Sequence, residues 1–218
     1  MPLHQRVKID DQTQILIWYI EEPLEQLKKD LKLSKADEFR FHKRKILSHQ
    51  KEFLASRRLL LEAGIPPYFL NHDPKGIPCL ESGQQLSISH TKKLAGIALC
   101  TKPIGFDIEV FQPKIRRIAT RFLHADETFA LKGDHVIEKL TLIWTAKEAL
   151  YKALNQKGII FSKQLLVTPF QWGDQKGSAK VFFQRKSLDF SLNFIVGKSY
   201  CSTLATPKIK IINYEYFC

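Results

Sequence analysis

The sequence predicts an α+β protein built from two similar subdomains, residues 1–102 and 103–218. Three observations carry that expectation. Helical stretches and short β-rich runs occur in both halves of the chain. Each half runs strand, helices, closing β-hairpin, with Leu86–Thr101 closing the first and Ser191–Thr206 the second. No long linker or low-complexity stretch intervenes, so the halves meet directly near Pro103.

In the first half, Ile15–Ile20 (ILIWYI) is a compact apolar run read as a buried strand. Pro23 opens a short helical stretch carrying Leu24, Leu27 and Leu31. Ser34 is a candidate N-cap, with Asp37 and Glu38 near a helix start. From there to Ala63 the chain is basic (Arg40, Lys43, Arg44, Lys45, Lys51, Arg57, Arg58), with Phe53, Leu54, Leu60 and Leu61 on an apolar face. Most of these cations are expected on a solvated helix face. Gly64 and Pro66-Pro67 end the helix, and Asn71–Pro78 is a turn by composition. Leu86–His90, the turn Thr91-Lys92-Lys93 and Leu94–Cys100 then form a hairpin. Ser89, His90 and Lys93 gather a hydroxyl, an imidazole and an ammonium at a strand end, donors suited to phosphate.

The second half opens on the strand Ile104–Val110 (IGFDIEV). Ile115–Leu123 and a short stretch from Asp126, with Glu127 in its first turn, read as helical. A longer helix covers His135–Asn155, ended by Gly158. Val181–Phe183, Leu192–Val196, Cys201–Ala205 and Ile209–Tyr214 are short β-rich runs separated by turn residues.

At 218 residues the chain can bury a substantial core, and its 44% hydrophobic and 26% charged composition is that of a globular protein. Its charge balance is unusual: 34 Lys and Arg against 22 Asp and Glu give +12. Such a surplus favours an anionic partner without choosing among nucleic acid, phosphorylated ligand, membrane or acidic protein. Cys79, Cys100, Cys201 and Cys218 show no C-x-x-C spacing, which argues against a zinc site or disulfide framework. The opening MPLHQRVK lacks the apolar core of a signal peptide, and no apolar run approaches the ~20 residues of a spanning helix. A cytoplasmic protein with no membrane partner is expected.

Chemistry concentrates on the strand Ile104–Val110. With period two, Phe106, Ile108 and Val110 point one way and Gly105, Asp107 and Glu109 the other. Carboxylates two residues apart on one face have Cα atoms roughly 6.5–7 Å apart and can converge on one small cation, with Gly105 leaving room beside them. Acids on the wet face of an edge strand are the plain alternative. Further on, WTAKEALYK (144–152) holds Lys147, Glu148 and Lys152. Glu148 and Lys152 are i,i+4 neighbours, which suits a surface salt bridge. It equally suits a third carboxylate beside Asp107 and Glu109, with lysines facing phosphate oxygens, a set for phosphoryl-type transfer.

Gly105-Phe106-Asp107-Ile108-Glu109 followed by WTAKEALYK closely resembles the two signature motifs of the 4′-phosphopantetheinyl transferases. Length and the upstream Leu-Ser-Ile-Ser-His resemble the surfactin-synthetase-activating branch. The resemblance spans roughly residues 15–205 and is specific at these motifs. It implies two α+β halves related by a pseudo-twofold, with coenzyme A in the cleft between them. The first half would take the 3′-phosphate side and the second the metal and pyrophosphate. It implies transfer of the phosphopantetheine arm to a serine of an apo acyl or peptidyl carrier protein, the reaction of a holo-acyl-carrier-protein synthase, with release of adenosine 3′,5′-bisphosphate. By motif, Asp107, Glu109 and Glu148 would hold Mg²⁺, or Mn²⁺ in its place, and Lys147 and Lys152 would contact phosphate. Ser89 and His90 match positions that bind the 3′-phosphate end, with Arg40 and Lys51 near basic positions serving it. Glu127 resembles an acidic position implicated in activity. The base that takes the serine proton is open between Glu148, Glu127 and a metal-bound water. The fatty-acid, polyketide and nonribosomal-peptide pathways are equally open.

Two departures stand out. Relatives carry Gly-Lys-Pro where this chain has Gly76-Ile77-Pro78, so Lys75 is the candidate replacement for the missing cation. The residue after the signature tryptophan is Thr145, which keeps the hydroxyl of the usual serine. Two other function classes compete: a basic non-catalytic RNA-binding protein, and another metal-dependent nucleotide-processing enzyme. Against the first, no nucleic-acid motif is present and the aromatics fall inside apolar runs, so no nucleic-acid partner is expected. Two halves in one chain predict a monomer.

Overall fold

Leu3, Gln5, Val7 and Ile9 alternate with exposed His4, Arg6, Lys8 and Asp10 along β1 (Leu3–Asp10), a half-buried edge strand in a computed structural model that describes residues 3–183 and 186–208. It folds back on β2 (Thr13–Tyr19), the apolar run anticipated from the sequence. The chain divides into two compact units, Met1–Lys102 and Pro103–Cys218.

In the first unit, β2 leads to the helices α1 (Leu24–Lys28), α2 (Lys35–Lys43) and α3 (Leu47–Glu62). Ser34 caps α2, its hydroxyl accepting from the Asp37 N–H at 3.2 Å. The basic stretch is two helices and not one. Arg44 and Ile46 are extended, and the break is held by the Gln50 side chain donating to the Arg44 carbonyl at 2.8 Å. Arg57 also departs from the expected solvated face. It is buried, makes a two-pronged contact with Asp37 (2.8 and 2.9 Å) and lies 3.7 Å from the Phe53 ring centroid. A small hairpin, β3 (Leu70–His72) and β4 (Pro78–Leu80), flanks the turn read from composition. Then β5 (Gln85–Thr91) and β6 (Leu94–Cys100) pair across Lys92-Lys93, with Lys93 in the left-handed region at φ 69°. The antiparallel sheet runs β1-β2-β6-β5. Leu16 and Trp18 of β2, Ile97 and Leu99 of β6 and Phe53, Leu54, Leu59 and Leu60 of α3 form one core.

The second unit opens on β7 (Gly105–Val110), followed by α4 (Ile115–Phe122), a 3-10 segment Ala125–Leu131, α5 (Val136–Leu154) and the one-turn α6 (Phe161–Gln164). The helix expected from Asp126 is therefore a 3-10 segment, bent where Glu127 has φ −94° and ψ 18°. His135 and Asn155 flank α5 in left-handed conformation, so Asn155, not Gly158, ends the helix. Strands β8 (Leu165–Val167), β9 (Lys176–Phe183), β10 (Lys186–Val196) and β11 (Tyr200–Pro207) complete an antiparallel sheet in the order β7-β11-β10-β9-β8. Helix α5 lies on this sheet, and Leu140, Ile143, Ala146, Ala149, Leu150 and Ala153 enter its core. The expected strand Ile209–Tyr214 and Cys218 lie outside the described residues.

The chain is α+β, as the sequence predicts. Within each unit the strand before the helices (β2, β7) pairs with the unit's last described strand (β6, β11), which pairs in turn with the strand preceding it (β5, β10). Among the described residues no helix is long and apolar enough to cross a membrane.

Candidate active site

The site begins with a glycine. A Cβ on Gly105 would lie 1.8 Å from the Ala149 carbonyl oxygen and 2.6 Å from the Ala153 nitrogen, so only glycine lets α5 approach β7 this closely. The space beside Gly105, expected to accommodate a cation, is filled by helix backbone. Small residues continue the contact along α5, where Ala146, Ala149 and Ala153 are buried. Thr145 joins it through its hydroxyl, 2.8 Å from that of Thr203 on β11 and 2.9 Å from the Leu142 carbonyl.

This approach sets charged groups of β7 and α5 against one another. Asp107 and Glu109 stand opposite Thr203 and Cys201 in the β7–β11 register. Asp107 is buried, at 5% exposure, and Glu109 is half-buried. Lys152 donates to Asp107 Oδ1 at 2.7 Å and to the Phe106 carbonyl at 2.9 Å. Half-buried Glu148, one turn before Lys152, has its pKa pushed up to about 7. Burial is the main cause, reinforced by Asp107 and Glu109 and opposed by Lys152. Burial likewise pushes the Cys201 thiol up, with Asp107 and Glu109 adding to the effect. Asp107, Glu109, Glu148 and Lys152 thus share one electrostatic environment. They do not form a closed ligand shell: among the described residues no three His, Cys, Asp or Glu side chains are placed to hold an ion.

Lys147 and Glu127 stand elsewhere than a phosphate contact or an accessible base would require. Both are fully buried and paired at 2.7 Å. Burial lowers the Lys147 pKa, and Glu127 opposes that fall. No local sequence signal marks the pair, whose partners are 20 residues apart and join two different elements.

The remaining candidates lie in the first unit. Ser89 is buried on β5 opposite Gly96, and the next residue, His90, has Nδ1 3.2 Å from Glu52 Oε2 of α3. Glu52, which sequence reasoning missed, is held above the usual carboxylate range by burial. Its position one residue before the apolar Phe53-Leu54 gave a faint signal. Arg40 contacts Nδ1 of His72 and lies 3.7 Å from Asp37. His72, read only as part of a turn, has its pKa lowered to about 4, first by burial and then by Arg40 and Arg57. Lys51 is half-buried on α3. Lys75 is exposed in the turn between β3 and β4, while the Ile77 N–H is taken by Asp73 Oδ1 at 2.8 Å.

Residues 103–205, just under half of the chain, match the family model of the 4′-phosphopantetheinyl transferase superfamily. The matched stretch runs from the start of β7 into β11 and includes every charged group of the α5–β7 contact. The general chemistry of that superfamily is transfer of a phosphopantetheinyl group with coenzyme A as donor. No curated protein matches the chain.

Proposed function

We propose that this protein transfers the 4′-phosphopantetheine group of coenzyme A to a serine of an apo acyl or peptidyl carrier protein, releasing adenosine 3′,5′-bisphosphate. The observation that carries the reading is the meeting of Asp107, Glu109, Glu148 and Lys152 where α5 crosses β7, inside the stretch matching the superfamily.

In this reaction the serine Oγ attacks the β-phosphorus. The bond from that phosphorus to the oxygen bridging the α-phosphate breaks, and adenosine 3′,5′-bisphosphate departs with the electron pair. Negative charge grows on the departing phosphate, so a site that neutralises and positions charge is what the reaction needs. The three acids supply hard oxygen donors; burial first, and then the charges of Asp107 and Glu109, push the Glu148 pKa up, with Lys152 opposing them. By donor type Asp107, Glu109 and Glu148 would hold Mg²⁺ or Mn²⁺, which would neutralise the pyrophosphate, although among the described residues they do not already stand as a ligand shell. Lys152 then exchanges its contact with Asp107 for a phosphate oxygen. The serine proton passes to Glu148 or to water beside it, the acceptors that lie with the acids of β7 and α5. Glu127, sealed against Lys147, is not available for that role. By the resemblance, Arg40, Lys51, Lys75, Ser89 and His90 remain the candidates for the 3′-phosphate end.

The test is a mass measurement on apo carrier proteins of fatty-acid, polyketide and nonribosomal-peptide type, incubated with coenzyme A and Mg²⁺. A phosphopantetheine adduct on at least one is expected, and its absence from all would overturn the reading. Asp107→Asn is expected to lower turnover by roughly 10²–10³, the scale of losing one preorganised charge-stabilising group. Near-parental turnover at saturating Mg²⁺ would remove Asp107 from the metal set.

A further inference from the structure

The Lys147–Glu127 ion pair completes its hydrogen bonding without any surface group. The Lys147 ammonium donates to Glu127 Oε2 at 2.7 Å, to the Phe122 carbonyl at 2.6 Å and to the Phe161 carbonyl at 3.2 Å. Glu127 Oε2 also accepts from the His124 N–H at 2.7 Å, and Oε1 accepts from the Val167 N–H at 2.7 Å. All three ammonium protons and both carboxylate oxygens are used, which is what makes a buried pair tolerable at full desolvation. The contacts join five segments: α5, the end of α4, the 3-10 segment, the start of α6 and β8.

Helix geometry gives this knot a consequence. At about 100° per residue, Lys147 and Lys152 lie roughly 140° apart round the axis of α5, and Glu148 lies roughly 100° from Lys147. Trp144 shares the Lys147 side, wedged between the rings of Phe122 (5.2 Å) and Phe161 (5.9 Å), the two residues whose carbonyls receive the ammonium. Thr145, Ala149 and Lys152 take the other side, against β7 and β11. Any roll of α5 that moves Glu148 or Lys152 away from Asp107 must also pull Lys147 out of its buried contacts.

Resting on the proposed function above, we infer that Lys147 and Glu127 are positioning residues. Their ion pair fixes the rotation of α5 and so holds Glu148 and Lys152 in register with Asp107 and Glu109. Neither touches substrate.

The test compares the parent with Lys147→Met/Glu127→Gln, which removes both charges together at similar volume, and with Glu127→Asp, which keeps the charge and shortens its reach by one methylene. Replacing both members of a buried pair commonly leaves stability near parental, whereas removing one strands the other. Supporting positions that orient ligands typically affect metal affinity or activity by about 10–100-fold. A fall of that size in kcat is expected for the double variant, with KM for coenzyme A within about twofold and Mn²⁺ affinity in a binding titration reduced at least fivefold. A folded double variant with parental kcat and Mn²⁺ affinity would overturn the proposal. If neither variant folds, hydrogen exchange on the parent decides. The amides of residues 145–152 are expected to exchange only through global unfolding, and exchange through local opening of α5 would overturn it. A parent inactive on every carrier would sink the transferase reading instead, leaving Mn²⁺ titration and hydrogen exchange to judge the pair.

Discussion

Glu148 carries its proton into the neutral range because burial and the charges of Asp107 and Glu109 outweigh the attraction of Lys152. The effect on stability follows from linkage. Its folded pKa, about 7, lies above the ordinary 4.5, so between those values the folded state binds more protons than the unfolded one. Stability from this group is therefore intact below about pH 4.5, falls as pH rises towards 7 and stays lowered above it. Glu148→Gln is expected to match the parent near pH 4 and to exceed it in Tm by about 2–4 °C at pH 8, allowing for solvent screening of a half-exposed group. A Tm difference independent of pH would contradict this account. His72 shows the opposite tuning. With its pKa at about 4 it stays neutral and accepts from Arg40 throughout the physiological range. If Arg40 serves the 3′-phosphate, His72→Leu frees its guanidinium and raises KM for coenzyme A roughly fivefold, the worth of about 1 kcal/mol for one hydrogen bond. Dephospho-coenzyme A, which lacks that phosphate, supplies the control: an equal rise in its KM would detach Arg40 and His72 from the 3′-phosphate.

At the scale of elements, the α5–β7 crossing depends on a missing side chain. In Gly105→Ala the added methyl meets a backbone carbonyl, so no side-chain rearrangement relieves the clash, and α5 must move outward by more than 1 Å. About 1–3 kcal/mol of stability is lost on that account, and turnover falls further than the stability loss explains, because Glu148 and Lys152 travel with the helix. Adding Ala149→Gly should not rescue either quantity, and rescue would show that the contact is not with the backbone. The acids and the one lysine of this crossing were legible in the sequence because their spacing is local: Asp107 and Glu109 alternate on one strand, and Glu148 and Lys152 sit one helical turn apart. The Lys147–Glu127 and Arg57–Asp37 pairs were not legible, since the partners of each sit in separate elements and become neighbours only on folding. The same limit explains the shorter misses. Strand β1 alternates correctly, but only Leu3, Val7 and Ile9 among its inward residues are aliphatic. The three-residue β3, β4 and β8 are too short to show a period.

For the whole molecule, the charge of +12 does not create the site, since the groups at the α5–β7 crossing are mostly acidic. Its place is in the encounter with a polyanionic or acidic partner. An excess of this size raises association rates with acidic proteins at low ionic strength, and screening removes the advantage once the Debye length falls to a few ångströms. Under the proposed function, KM for an acidic carrier protein should rise about tenfold between low salt and roughly 0.5 M salt, while kcat stays within about twofold. That split follows because steering acts on the approach, whereas α5 and β7 hold the reacting groups through buried contacts that salt reaches poorly. Competition by RNA is the complementary measurement. A purely electrostatic surface lets RNA raise the carrier KM in a salt-dependent way without altering the product. Tight RNA binding that persists at 0.5 M salt would point to base contacts and a dedicated nucleic-acid site, and would return the basic surface to the RNA-binding class of function.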